Sequence, residues 1–93
     1  MRVTSNQFAL LSALAASRKG FRTHRAWILA AEQLYRRWWP SGSNPVWGPA
    51  KAAPTVVRAG WAHSVREGRG KRVRLAPGGR VAMRVWQSRN EIP

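Results

Sequence analysis

The order of the secondary-structure elements is decided by the stretch Gly60-Trp-Ala-His-Ser-Val-Arg-Glu-Gly-Arg-Gly-Lys-Arg-Val-Arg-Leu-Ala-Pro-Gly-Gly-Arg80. It predicts a strand, a basic turn around Gly-Arg-Gly, a second strand and the start of a helix. Side chains alternate between the two faces of a strand, so Val73 and Leu75 point to one face and Arg72 and Arg74 to the other. The chain therefore contains a two-stranded hairpin that leads directly into a helix.

Basic side chains crowd the tip of this hairpin, and Glu67 is the one acid nearby. A ribbon with arginine at its tip suits a DNA groove, because the guanidinium group is a planar donor fork for phosphates and guanine edges. A charged hairpin can also be a solvated edge whose cations discourage aggregation. Five basic residues over nine positions favour nucleic-acid contact; they are Arg66, Arg69, Lys71, Arg72 and Arg74.

The composition of the whole chain points to the same class of partner. Its 93 residues predict one domain with a modest core. Basic residues number 17 and acidic residues 3, which gives a formal charge of +14. A field of this strength makes nucleic acid the leading partner and an anionic membrane surface the weaker alternative. The absence of cysteine excludes a disulfide framework and a thiolate metal site, and the composition predicts a cytoplasmic protein without a membrane segment.

Two helices are predicted before the hairpin. Thr4 and Gln7 have the spacing of a capping box, which opens a helix from about Ser5 to Ser17. The second helix begins near Thr23 and runs to about residue 37, and Pro40 ends it. Residues 41–45 form the clearest loop of the chain, because serine, glycine, asparagine and proline favour turns.

The segment from Pro49 to Ala59 leaves two alternatives open. Its alanines favour a helix and Pro49 suits a first helical turn, but Pro54 lacks an amide hydrogen and clashes with the previous turn. Either one kinked helix spans the segment or two short helices meet at Pro54. After the hairpin, Pro77 opens a last helix, and the tail from Ser88 onward is expected to fray.

The hairpin and its junction resemble the wing of MarR-type winged-helix repressors. That family commonly shows an Arg-rich wing followed by Val-Arg-Leu-Thr-Pro-x-Gly-Arg, and here the junction reads Val73-Arg-Leu-Ala-Pro-Gly-Gly-Arg80, with Ala76 in place of threonine. The resemblance covers about residues 55–84, and the order of the elements matches along the rest of the chain. It implies an α+β fold, a small winged helix-turn-helix domain that occupies residues 1–93.

The resemblance also implies a set of DNA-binding residues. In that family the helix before the wing enters the major groove, and the corresponding segment offers Lys51, Thr55 and Arg58 as polar readers. Because Pro54 interrupts this segment, we expect weaker sequence discrimination at Lys51 than at Arg58. Four arginines bracket the second helix, and either they form a solvated helix face or some of them grip phosphate beside this segment: Arg22, Arg25, Arg36 and Arg37. Of these, Arg36 and Arg37 belong to the predicted set. The basic residues of the hairpin complete the predicted set.

The sequence predicts that the protein is not an enzyme and needs no cofactor or metal. Its acids are Glu32, Glu67 and Glu91, and His24 and His63 have no companion at metal-ligand spacing. Of the six tryptophans, those at 27, 38 and 86 fall on apolar stripes and are expected in the core. An exposed tryptophan at 39 or 47 would suit a protein partner.

These observations predict a transcriptional regulator that binds double-stranded DNA in the nucleoid, of the compact basic kind frequent in phages and mobile elements. Two alternatives remain. The chain could be an interaction module that binds a host protein, a polymerase or a second copy of itself, or an architectural protein that binds DNA or RNA without sequence preference.

Overall fold

The computed structural model describes residues 2–40 and 48–89. These residues form a small α+β arrangement whose layout is compatible with a winged helix, and the elements follow the predicted order. The loop predicted at residues 41–45 and Trp47 lie outside the described residues. The helices are α1 (Ser5–Ala16), α2 (His24–Trp38), α3 (Pro49–Arg58) and α4 (Pro77–Arg89), and the strands are β1 (Ala62–Glu67) and β2 (Gly70–Leu75).

Helix α1 is the centre of the fold. It begins with the predicted capping box, in which the Gln7 amide donates to Thr4 Oγ1 at 3.2 Å and the Thr4 amide donates to Gln7 Oε1 at 2.9 Å. Its apolar residues Phe8, Leu10 and Leu11 are at most 2% exposed. Because they point in several directions around the helix, α1 packs against α2, α3, α4 and β2 at once.

Trp27 of α2 lies in this core, as predicted. It is fully buried, and its indole Nε1 donates to the Leu10 carbonyl at 2.9 Å, so its one polar atom is satisfied. Trp38 and Trp86 differ from the prediction, since they are only half-buried. With Phe8, Tyr35 and Trp39 they form an aromatic cluster at which α1, α2 and α4 meet, in which the rings of Phe8 and Trp86 stack with centroids 5.3 Å apart. Trp39 is therefore also half-buried.

Helix α3 runs without interruption from Pro49 to Arg58, so the alternative of two short helices is wrong. Pro54 lies within the helix and deprives the Ala50 carbonyl of its usual donor. Both residues are exposed, so water can reach this part of the helix. On the other side, Ala53 and Val56 are 2% and 0% exposed, and their packing holds the helix together across the proline.

The hairpin pairs β1 with β2 in antiparallel register from Ala62 opposite Leu75 to Glu67 opposite Gly70. Two residues remain for the turn, and the positive φ of Gly68 (60°) beside a negative φ at the next position is the geometry of a type II′ turn. The second edge of β2 carries a short bridge, which sequence reasoning missed. The Phe21 amide donates to the Val73 carbonyl at 3.0 Å and the Val73 amide donates back at 2.8 Å. The segment between α1 and α2 thereby holds the base of the hairpin.

Backbone hydrogen bonds of Trp61 connect the hairpin to the helices on both sides. Its amide donates to the Val56 carbonyl at 3.1 Å, and its carbonyl accepts from the Ala76 amide at 3.0 Å. Helix α4 then continues through Ser88 and Arg89, two residues that were expected to fray. Within residues 2–40 and 48–89, no helix is long and apolar enough to cross a membrane.

Candidate nucleic-acid interface

The outer face of α3 carries the three residues predicted to read bases. Lys51, Thr55 and Arg58 are spaced by four and three residues, so at about 100° per residue they form one stripe opposite the buried Ala53 and Val56. All three are exposed. A helix broken or kinked at Pro54 was expected to project Lys51 and Arg58 at different angles. The helix is not broken, and the spacing of the two residues places them on one face.

The hydroxyl of Thr55 has two partners within the protein. It donates to the Ala52 carbonyl at 2.6 Å and accepts from Gln7 Nε2 at 3.0 Å. A hydroxyl has one donor and two acceptor positions, so only one acceptor position remains. Thr55 therefore positions α3 against α1, and Lys51 and Arg58 carry the donors of the stripe.

The beginning of α2 lies beside α3. His24 and Ile28 of α2 form a shallow groove of about 420 Å³ with α3 residues that include Pro54, Val57 and Arg58. Most of this groove is apolar, and Val57 is 40% exposed. The first turn of α2 contains no acid. No acidic side chain of that turn therefore offsets its positive dipole end, which lies beside Arg58 of α3.

The basic residues of the hairpin divide into two groups. Glu67 Oε2 lies 3.1 Å from Arg72 Nε and 3.5 Å from Arg74 Nη2, and Arg74 Nε also donates to the Lys19 carbonyl at 3.3 Å. Arg72 was expected on the solvent side of the hairpin with Arg69, but Arg72 and Arg74 are both half-buried and bonded to other groups of the protein. The charge exposed to a ligand is carried by the second group: Arg66, Arg69 and Lys71, which form no ion pair with the acids of the described residues.

Arg22 is one of the four arginines at the second helix for which phosphate contact was left open, and the predicted set of DNA-binding residues did not include it. Since the Phe21–Val73 bridge draws the start of α2 onto β2, Arg22 lines a cleft of about 460 Å³ with Lys71 and Arg72. The sequence showed Arg22 as one of several arginines flanking the second helix. Arg22 differs from the other arginines because the contact between Phe21 and β2 places it beside the hairpin. Nothing in the local sequence predicts that contact.

Arg36 and Arg37 lie elsewhere. Both are exposed in the last turn of α2, about 18 Å along the helix from His24 at a rise of about 1.5 Å per residue. Arg37 lines a cleft with Ala13 and Phe21, beside the C-terminal half of α1. Neither residue lines the α2–α3 groove or the cleft at Arg22. The structure thus brings α3, the start of α2 and the hairpin together, and leaves these two arginines apart.

Within the described part of the chain, no three His, Asp or Glu side chains come close enough to hold a metal ion. Comparison of the chain with sequence models of protein families, with curated protein sequences and with solved structures gave no match.

Proposed function

We propose that this protein binds duplex DNA as a small transcriptional regulator, with α3 in the major groove and the hairpin beside it as a wing. The observation that carries the proposal is the row of exposed cations that joins three elements. It runs from Lys51 and Arg58 on α3, past the start of α2 and Arg22, to Lys71 and Arg69 on the hairpin. A polyanion that lies along this row would contact all three elements.

The electrostatics of α2 support this orientation. Arg22 and Arg25 flank the positive end of the α2 dipole, where an acid would normally stabilise the helix. Cations at this end repel the dipole and one another. A phosphate removes both repulsions and can also accept from backbone amides of the first turn. The arrangement therefore costs stability in the free protein and favours an anionic partner.

The two parts of the row have different tasks in this proposal. Arg58 and Lys51 lie on a helix face and can donate to base edges such as guanine O6 and N7. The hairpin cations and Arg22 lie beside the helix and contact phosphates, which supply affinity and register but no sequence information. Because Lys51 and Arg58 are the two cations of the stripe, we expect a short recognised sequence.

The test is a salt titration of duplex binding by the parent and by Arg69→Ala/Lys71→Ala. If about six phosphates are contacted, log affinity plotted against log salt has a slope of about −5 for the parent and about −3.6 for the variant, at about −0.9 per phosphate. The matched control is Arg84→Ala/Arg89→Ala, which removes two exposed cations of α4 and should keep the parental slope. Absence of parental binding at low salt would end the proposal.

Selection from a random duplex library then separates a regulator from an architectural protein. A regulator enriches a defined motif, whereas an architectural protein enriches none. The alternative of a protein-interaction module is favoured by a specific feature, the apolar groove between α2 and α3, in which Val57 is 40% exposed. That alternative takes precedence if the parent binds no duplex at about 50 mM salt.

A further inference from the structure

A concave basic surface lies at the base of the hairpin, between the end of α1 and the first turn of α4. It is a cleft of about 500 Å³, and we call it the rear cleft. No acid is found among the described residues that line it, and three arginines from three different segments do line it: Arg18, Arg74 and Arg80. None of the three belongs to the row of cations proposed to bind DNA, so the proposed function does not account for their convergence.

The rear cleft adjoins the cleft at Arg22. Every second residue of a strand projects from the same face, so Arg72 and Arg74 are neighbours on one face of the hairpin, about 7 Å apart along β2. Arg74 lines the rear cleft, and Arg72 lines the cleft at Arg22. Val65, the partner of Arg72 across the hairpin, also lines the rear cleft. The two clefts therefore meet at this pair and form one basic surface.

Glu67 connects the two clefts. Its Oε2 lies 3.1 Å from Arg72 Nε and 3.5 Å from Arg74 Nη2, so one carboxylate oxygen contacts an arginine of each cleft. The Glu67 side chain is 51% exposed, and an ion pair so open to water is weak. A phosphate oxygen is an acceptor for the same guanidinium donors. A phosphate can therefore take the place of the Glu67 carboxylate between the two arginines.

The rear cleft combines one held arginine with two exposed ones. Arg74 Nε donates to the Lys19 carbonyl at 3.3 Å, so its guanidinium group is placed before a ligand arrives. Arg18 and Arg80 are exposed and can close on a ligand. Guanidinium groups bind phosphate oxygens through paired, charge-assisted hydrogen bonds. The chemistry of the cleft therefore fits phosphate.

We propose that the rear cleft binds the phosphate backbone of the same duplex, beyond the segment that α3 reads. The inference rests on the proposed function, in which the backbone passes Arg22 and the hairpin. From the cleft at Arg22 the backbone continues over Arg72 and Arg74, displaces Glu67 and enters the rear cleft. Contacts there reach only phosphates, so they add affinity and lengthen the footprint without lengthening the recognised sequence.

The experiment compares binding to a short and a long duplex that share a central sequence, each over a range of salt concentrations. The short duplex spans about one helical turn, about 10 base pairs, and the long one adds a further turn on each side. The test variant is Arg18→Ala/Arg80→Ala. The control is Arg36→Ala/Arg89→Ala, which has the same net charge as the test variant and removes two exposed arginines that line neither cleft.

The test variant should differ from the parent on the long duplex alone. There it should bind about tenfold or more weakly, because it loses two charge-assisted phosphate contacts. Its plot of log affinity against log salt should also be less steep by about 1.8, at about 0.9 per phosphate. On the short duplex its affinity should change less than about threefold, because salt screens charges that make no contact. The control should stay within the same limit on both duplexes.

The outcomes separate the two proposals. If the parent binds neither duplex, the proposed function fails and the rear-cleft proposal fails with it. If the parent binds both but the test variant matches the control on the long duplex, only the rear-cleft proposal fails. Equal weakening of the test variant on both duplexes also overturns it, because the cleft would then lie within the segment that α3 reads.

A titration with inorganic phosphate, followed by NMR, distinguishes the duplex backbone from a free anion. Shifts of the Arg18 and Arg80 amide signals, together with no effect of duplex length on the test variant, would show that the cleft takes free phosphate instead of DNA. That result would overturn the proposal. Circular dichroism verifies that the variants fold.

Discussion

Replacement of Gly20 by alanine tests how the wing is attached to the helices. Gly20 has φ 78°, and a β-carbon there would collide with the Val73 carbonyl oxygen and lie 2.8 Å from Arg74 Cγ. The side chain of Arg74 can move, but the carbonyl accepts the Phe21 amide and belongs to the bridge that holds the hairpin base. The collision is therefore relieved only if this bridge opens.

Gly60 supplies a matched control, because it has the same φ of 78° and its β-carbon would meet no atom within 4 Å. Gly60→Ala should cost about 1–2 kcal/mol of unfolding free energy from the left-handed backbone alone. Gly20→Ala should add the two hydrogen bonds between Phe21 and Val73, worth about 0.5–1.5 kcal/mol each. The expected difference between the two variants is thus about 1–3 kcal/mol.

Thermal unfolding measures this difference directly. In a domain of this size about 1 kcal/mol shifts Tm by about 4–8 °C, so Gly20→Ala should unfold at least about 4 °C below Gly60→Ala. The amide of Val73 should also exchange with solvent faster in Gly20→Ala, because it loses its partner at Phe21. Equal Tm values for the two variants would refute the view that the bridge holds the wing.

Three further predictions concern the core and the proposed interface. Trp27→Ala should lower the free energy of unfolding by about 3–5 kcal/mol, measured by urea denaturation, because it deletes a fully buried indole; a loss below about 1 kcal/mol would contradict its place in the core. Lys51→Ala and Arg58→Ala should each reduce discrimination between a selected and a mismatched site by about 1–3 kcal/mol, since one continuous helix presents both; loss at Arg58 alone would restore the broken-helix prediction. Glu67→Gln should tighten duplex binding and steepen its salt dependence, because it frees two arginines of the hairpin from their ion pairs; unchanged affinity would show that those arginines do not reach DNA.

Local sequence signals predicted the elements of the fold well. The capping box at Thr4, the cap at Thr23 and the alternation along β2 each depend on residues within about one turn or one strand of each other. The hairpin tip likewise follows from Gly68, which permits the positive φ of the turn. Interactions between residues so close together in the chain depend little on the rest of the fold, so they can be predicted from the sequence.

The candidate site was predictable only in part. The cations of α3 and the hairpin tip could be identified from charge and spacing, and the structure places them on exposed, neighbouring elements. Arg72 and Arg74 could not be separated from the other hairpin cations, because Glu67 can pair with any of them until the register is known. Arg22, Arg36 and Arg37 all flank the second helix, so the sequence offered no reason to choose among them. Arg22 lies beside the hairpin because it precedes α2, whereas Arg36 and Arg37 lie at the far end of that helix.

The sequence by itself determined the charge, the order of the helices and the hairpin with its arginine tip. Tertiary structure alone decided that α3 passes through Pro54, that Phe21 pairs with Val73, and that Arg22 rather than Arg36 joins the proposed interface. Each of these cases depends on contact between segments far apart in the chain. In α3 the burial of Ala53 and Val56 outweighs the local preference of Pro54 against a helix. At β2 a pair of backbone hydrogen bonds between Phe21 and Val73 places Arg22 beside the hairpin. Local propensities amount to about 3 kcal/mol even for a proline within a helix, and packing against a shared core can exceed that.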